Sequence, residues 1–247
     1  MSNSKLAKYR KISPNRNSPR KGKILGIAPH CYVGQVSVNG ALNNARFNNY
    51  DIQNGASCNY IICTDGSIVL IVPESDRSWC TSSNLDENLV TIECACDSFH
   101  PYKINDKVKA SLINLMADIC YRNGIKKLLW SNNKSLMGKW NEQNIVLHRW
   151  TKNKACPGDY IVSILPDIVK EVNLQIEALR LNDNCPYEVK TTVDGVRLYD
   201  KLGGTVVKKY TKGYKLNVSE VRVYKGELFG KGLKTKKWFR LKNTKKV

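Results

Sequence analysis

The chain of 247 residues lacks any run of about 18 apolar residues, which excludes a helix that spans a membrane. Its first 23 residues carry eight lysines and arginines and no acid, but no apolar segment follows them. A secretory signal needs that segment, so we expect cytoplasmic synthesis without a signal peptide. Internal repeats and low-complexity tracts are absent too. With 42% hydrophobic and 25% charged residues, the composition is that of an ordinary soluble globular protein.

Acidic residues are few, 21 against 40 basic ones, which gives a formal net charge of +19. Such a charge attracts polyanions of any kind, including nucleic acid, anionic lipid and anionic wall polymer. It does not indicate which of them is the partner. The charge is uneven along the chain. Residues 186–247 carry 17 basic and 5 acidic residues, a net of +12, whereas the other 185 residues have a net of +7.

No pair of cysteines has the CxxC spacing of a zinc finger. The nine cysteines are odd in number and no export signal precedes them, so we expect free thiols in a reducing compartment. Most of them are expected to be small, buried, apolar side chains.

We expect residues 1–180 to form an α/β domain with a mixed central sheet flanked by helices, and the hydrophobic pattern predicts its individual strands and helices. Within it, the polar residues 1–20 are expected to lie irregularly over the surface. A hairpin is predicted around Thr64-Asp65-Gly66-Ser67. The predicted strands are 24–28, 59–63, 68–72, 89–95, 127–130 and 145–147, and the predicted helices are 38–47, 106–123 and 160–180.

Residues 181–185 are polar and are predicted to form a linker. Short alternating segments separated by glycine-containing turns follow it, and about 60 residues of this kind are typical of a small all-β barrel. We therefore predict a second domain at residues 186–247.

Histidine is scarce: the chain has only His30, His100 and His148. Two of them lie at the ends of predicted buried strands, and Cys156 follows His148 by eight residues. Two imidazoles and a thiolate can hold zinc with the fourth position open. Spacing alone leaves the alternative open, in which buried histidines bond to backbone carbonyls.

Four runs carry a resemblance to a known family. They are the strand that ends at His30, ASCNYII at 56–62, VTIE at 90–93, and the closing run from His148 to KACPG at 154–158. Over residues 23–172 the chain resembles the zinc amidases shared by phage lysozyme-type amidases and peptidoglycan recognition proteins. The runs DRSWC at 76–80 and NGIKKLLW at 123–130 are most similar to amidase endolysins of phages that infect clostridia.

The resemblance implies that His30, His148 and Cys156 are zinc ligands. It implies that Glu93 is the general base and that Lys154 steadies the oxyanion. Some members place a catalytic tyrosine where this chain has Cys58, so the assignment of the base depends on Glu93 alone. In the run 90–95, strand alternation places Glu93 on the face opposite to the core, as a cleft residue requires. Trp79 and Trp150, which lie nearest these motifs, are candidates for a substrate groove.

The implied reaction is hydrolysis of the amide between N-acetylmuramic acid and L-alanine in Gram-positive, clostridial peptidoglycan. Residues 186–247 resemble bacterial SH3 domains, through GVRLY at 195–199 and WFRL at 238–241, and are expected to hold the enzyme on the wall. We expect a monomer that is made in the host bacterial cytoplasm and acts at the wall after release. We expect it neither to bind nucleic acid nor to insert into a membrane. One alternative is a non-catalytic peptidoglycan-binding protein of the same fold, but the presence of Cys156, the third ligand, is evidence against it. The other is a nucleic-acid-binding protein, and no nucleic-acid-binding motif in the sequence supports it.

Overall fold

The computed structural model describes residues 2–247, which divide into two compact units, one up to Val172 and the other Asn173–Val247. Among the described residues, no helix has both the length and the apolar character needed to cross a bilayer. The helices are α1 Val38–Leu42, α2 Ala45–Asn48, α3 Asp106–Arg122, α4 His148–Thr151 and α5 Asp159–Asp183. The strands of the first unit are β1 Tyr9–Arg10, β2 Arg16–Asn17, β3 Gly26–Cys31, β4 Tyr60–Ile62, β5 Ile68–Leu70, β6 Arg77–Ser78 and β7 Leu89–Cys94.

The first unit contains a five-stranded mixed sheet in the order β1-β5-β4-β7-β3. Strand β7 runs parallel to both of its neighbours, β3 and β4, whereas β4 and β5 form the predicted antiparallel hairpin. All six residues of β3 are buried, as expected for a strand covered on both faces. The predicted α/β class with a mixed sheet is confirmed.

Helix α3 follows the predicted 3- and 4-residue spacing, because Val108, Leu112 and Met116 are fully buried on one face. The Asn105 side chain accepts a hydrogen bond from the Val108 backbone at 3.0 Å and so caps its start. The helix predicted over 38–47 is interrupted. The chain forms α1 and α2 instead, and Asn44 between them caps α2.

The prediction that residues 1–20 lie irregularly over the surface is right only in part, since most of residues 2–20 are exposed but four are buried and two short strands form; Met1 itself lies outside the described residues. Strand β1 pairs with β5, and β2 pairs with β6. The Arg20 side chain is buried and donates to the backbone carbonyls of Asp76 at 2.8 Å and Leu89 at 3.0 Å. A polar segment can be buried when its polar groups find partners, and composition does not reveal that.

The strand predicted at 127–130 is also absent from the described structure. Part of its backbone bonds to a single residue, Asn144, instead of to a neighbouring strand. Asn144 accepts from the Leu129 backbone N–H at 2.7 Å and donates to the Lys127 carbonyl at 2.9 Å. Segment 145–147 forms a single parallel bridge to β3 and no longer ladder.

A buried carboxylate joins the sheet to the end of α3. Glu74 is fully buried and accepts from the Tyr60 hydroxyl at 2.6 Å and from Asn123 at 3.0 Å. Arg122 donates to both of its oxygens, at 2.6 and 3.1 Å. Removing one partner of such a pair leaves a charge buried without compensation.

We expect Arg122→Met to lower the free energy of unfolding by about 3–5 kcal/mol, because the Glu74 carboxylate loses its countercharge. Urea unfolding followed by circular dichroism measures this. The matched control on the same helix is Lys107→Met, which removes an exposed charge and should change stability by less than about 0.5 kcal/mol. A loss below about 1 kcal/mol for Arg122→Met would show that the pair contributes little.

The second unit contains a seven-stranded antiparallel sheet in the order β10-β9-β13-β12-β11-β8-β14. Its hydrophobic core includes Val218, Val221 and Phe239, together with Ala178 from the end of α5. The Asn182 side chain accepts from the Val221 backbone N–H at 2.7 Å and donates to the Val221 carbonyl at 2.9 Å. Its strands are β8 Tyr187–Thr191, β9 Val196–Tyr199, β10 Val206–Tyr210, β11 Lys215–Tyr224, β12 Glu227–Gly232, β13 Trp238–Arg240 and β14 Thr244–Lys246.

Candidate metal centre

Three elements of the first unit bring His30, His148 and Cys156 together. His30 lies near the carboxyl end of β3, His148 is the first residue of α4, and Cys156 lies in the loop before α5. One ligand atom from each lies within 4.8 Å of the others. His30 Nδ1 is 3.2 Å from the Cys156 sulfur, and the Arg149 backbone N–H donates to the Cys156 carbonyl at 3.0 Å. The loop is thereby held against α4.

Both imidazoles are suited to bind a metal. His30 Nε2 and His148 Nε2 are buried and have no hydrogen-bond partner among residues 2–247. Burial, and then the charge of His148, lowers the pKa of His30 to about 3. Burial and the charge of Lys154 lower the pKa of His148 as well. The rings are therefore neutral at physiological pH, the form in which histidine binds metals.

The thiol completes a donor set of two nitrogens and one sulfur, which fits zinc. A hydrogen bond with Cys31 lowers the pKa of Cys156, but burial and the charge of Glu93 raise it, so that the net direction is upward. A cation beside the sulfur reverses that direction because it stabilises the thiolate.

Glu93 is placed beside this centre by the register of the sheet. On the parallel strands β3 and β7, Glu93 is the direct partner of His30. Its Oε2 is buried without a hydrogen-bond partner among the described residues, and Cys80 approaches Oε1 at 3.9 Å. Burial, and then the charge of Cys96, raises the pKa of Glu93 to about 8, while the charge of Arg46 lowers it. An additional positive charge nearby favours the carboxylate form.

Four of the five predicted residues line one cavity of about 360 Å³: Glu93, His148, Lys154 and Cys156. The fifth, His30, is 1% exposed and is not among the residues that line the cavity. Glu93 thus faces a cleft as expected, although its strand is otherwise buried on both faces. Lys154 is exposed at the cavity mouth, so its charge is available to a ligand there.

The two tryptophans predicted to line a substrate groove lie in different surroundings. Trp79 lines the cavity, whereas Trp150 stacks on Trp130 with ring centroids 5.7 Å apart. Cys58 is fully buried, and burial raises the pKa of its thiol well above the usual value. A thiol in that state does not supply the proton chemistry of the tyrosine that some relatives have there.

Sequence reasoning missed two residues at this site. Arg46 lines the cavity from α2, and Cys80 forms a second group with His30 and Glu93, again within 4.8 Å of one another. Arg46 belongs to no motif, and Cys80, although it ends the run 76–80, was expected like most of the cysteines to be a small buried side chain. Only the folded chain places them beside β3 and β7.

Comparison with known proteins agrees with this geometry. Residues 19–159, more than half of the chain, match the family model described as N-acetylmuramoyl-L-alanine amidase. No curated protein sequence matches. Among solved structures, the Staphylococcus aureus hydrolase AmiA in complex with its ligand is 17% identical, with a TM-score of 0.52 over 70% of this chain and 84% of that one. This identity supports the fold alone.

Two further structures are similar at lower scores. The endolysin N-acetylmuramoyl-L-alanine amidase LysCS from Clostridium intestinale is 16% identical, with a TM-score of 0.43 over 66% of this chain and 96% of that one. A selenomethionine derivative of AmpD is 16% identical, with a TM-score of 0.48 over 68% and 99%. The family assignment comes from the sequence model, which covers the strand of His30, the strand of Glu93 and the loop of Cys156. This chain belongs to the N-acetylmuramoyl-L-alanine amidase family.

Proposed function

We propose that this protein is a zinc-dependent endolysin that hydrolyses the amide between N-acetylmuramic acid and L-alanine in peptidoglycan. The observation that carries the proposal is the convergence of His30, His148 and Cys156 beside Glu93, in a chain of the amidase family. His30, His148 and Cys156 would hold the zinc. When bound, zinc would act as a Lewis acid that polarises the amide carbonyl and lowers the pKa of water, so that the water loses a proton more readily and becomes a better nucleophile.

Glu93 moves the proton in this proposal. A carboxylate within reach of the attacking water accepts its proton and then donates it to the nitrogen of the departing L-alanine. The unpartnered Glu93 Oε2, enclosed beside the ligand cluster, is free for that exchange. Hydrolysis thereby releases a neutral amine instead of an amide anion, which would be a very poor leaving group.

Lys154 stabilises the negative charge that develops on the carbonyl oxygen in the tetrahedral transition state. Lys154 lines the cavity from the loop before Cys156. Removing a preorganised donor typically lowers turnover by about 10²–10³-fold. Because Lys154 is exposed, water and salt screen part of that effect.

We therefore expect Lys154→Ala to lower kcat by about tenfold and to leave zinc content unchanged. Steady-state hydrolysis of purified peptidoglycan measures the change. Lys152→Ala is the matched control, because Lys152 is an exposed lysine of the same loop that does not line the cavity. If both variants lose the same activity, Lys154 acts only through the general positive charge of the loop.

The second unit is proposed to be an SH3-like domain that holds the enzyme on a Gram-positive, clostridial wall. Tethering raises the local concentration of substrate without adding catalytic contacts. We further propose that the protein acts as a monomer, outside the cytoplasm of its host and after release by a separate route.

The test is digestion of purified cell walls with scoring of two products. The proposal requires new N-terminal alanine without new reducing sugar. Reducing ends would instead indicate a glycosidase. Binding to walls with neither product would support the alternative of a non-catalytic peptidoglycan-binding protein.

A further inference from the structure

Four lysines of the second unit surround one pocket of about 460 Å³. Lys190 lies on β8, Lys212 lies in the turn before β11, and Lys245 and Lys246 lie on β14. The remaining lining comes from small or hydroxyl-bearing side chains and from the last residue, Val247. Neither a carboxylate side chain nor an aromatic ring is among the residues that line it. The side chains that line the pocket therefore carry positive charge and no negative charge.

The sheet register concentrates this charge further. Lys190 on the central strand β8 is the direct partner of Lys215 on β11 and of Lys245 on β14. Three lysines thus form a row across adjacent strands, and neighbouring strands are about 4.8 Å apart. Like charges directly opposite each other destabilise a sheet.

Only one end of the row is neutralised within the described chain. Lys215 forms an ion pair with Glu188 at 2.8 Å. Lys190, Lys212 and Lys245 form no ion pair with any carboxylate among residues 2–247. The positive charges of these three side chains are therefore not neutralised by an ion pair within the described chain, and an external anion would reduce their mutual repulsion.

We propose that this lysine pocket binds the phosphodiester groups of a polyol-phosphate polymer of the bacterial wall. A row of cations across three strands matches a linear ligand that carries one anion per repeat. A nucleic acid fits less well, since proteins that bind single strands also stack bases on aromatic side chains, and none lines this pocket. The choice of a wall polymer rests on the proposed function. The proposal names the ligand and the residues by which the second unit would hold the enzyme on the wall.

The experiment measures binding of soluble poly(glycerol phosphate) to the full-length protein by titration calorimetry. Lys190→Gln combined with Lys245→Gln should weaken binding about 25-fold, since each lysine beside an anionic surface raises the affinity about fivefold. The thermal midpoint should stay the same or rise, because two opposed like charges are removed. Arginine at both positions should retain binding. The control, Lys201→Gln combined with Lys234→Gln, removes the same charge from exposed sites outside the pocket.

An equal loss of affinity in both glutamine pairs would overturn the proposal, because attraction would then be diffuse. Tighter binding of a single-stranded oligonucleotide of equal charge would overturn it in favour of a nucleic-acid site. Hydrolysis of peptidoglycan stripped of its polymers by the wild-type protein is measured separately. Failure of the lysine pocket is thus distinguished from failure of the proposed amidase activity.

Discussion

Glu93→Gln should lower turnover on peptidoglycan by about 10²–10⁴-fold while the protein stays folded and keeps the zinc that we propose for it. The amide has the shape of the carboxylate but does not accept the proton. Glu93 is the register partner of His30, its Oε2 is buried without a hydrogen-bond partner among the described residues, and it lines the same cavity as His148 and Cys156. Steady-state kinetics on purified walls, together with circular dichroism and metal analysis, measure the three quantities.

Glu142→Gln is the matched control, because Glu142 is exposed and does not line the cavity. It should retain full turnover. If Glu93→Gln retained turnover within about threefold of wild type, the proton would be moved by another group and the assigned role would be wrong.

His148→Ala should abolish both zinc binding and hydrolysis. A three-ligand site reduced to two ligands loses its tetrahedral geometry, so bound zinc should fall from about one per chain to a small fraction. Elemental analysis after dialysis measures the ratio. His100→Ala is the control: its ring is exposed and bonds to Asp159 at 2.7 Å, and the variant should keep its zinc.

Full zinc occupancy in His148→Ala would contradict the assignment and would favour the second cluster, His30 with Cys80 and Glu93. The two clusters share His30, so a His30 variant does not separate them. Cys156→Ser does, since Cys156 belongs to the first cluster alone.

The elements that the sequence predicted well are those in which local pattern and tertiary packing agree. The β4–β5 hairpin forms around a turn of Asp65 and Gly66, where Gly66 has a φ of +87° that favours glycine. Helix α3 buries the face that its periodicity defines. The prediction that His30, His148 and Cys156 lie together came from the family motifs. The local sequence pattern does not indicate it, because His30 and His148 are 118 positions apart.

The predictions that failed concern polar residues whose partners are distant in sequence. Arg20 is buried because it bonds to carbonyls of residues 76 to 89, and segment 127–130 satisfies its backbone through Asn144. Neither arrangement leaves a hydrophobic period in the sequence. Arg46 was missed for a related reason, since its helix reaches the cavity only when the sheet has formed.

The bond that is cleaved can be identified by digestion of purified muropeptides in water enriched in ¹⁸O, followed by mass spectrometry of both products. Hydrolysis of the amide adds one oxygen from water to the acyl side and none to the amine side. The proposed activity therefore places a single ¹⁸O in the lactyl carboxylate of N-acetylmuramic acid and leaves the alanine peptide unlabelled. An ¹⁸O atom in a new peptide carboxylate, or cleavage between sugars, would contradict the proposal that this protein is a muramoyl-alanine amidase.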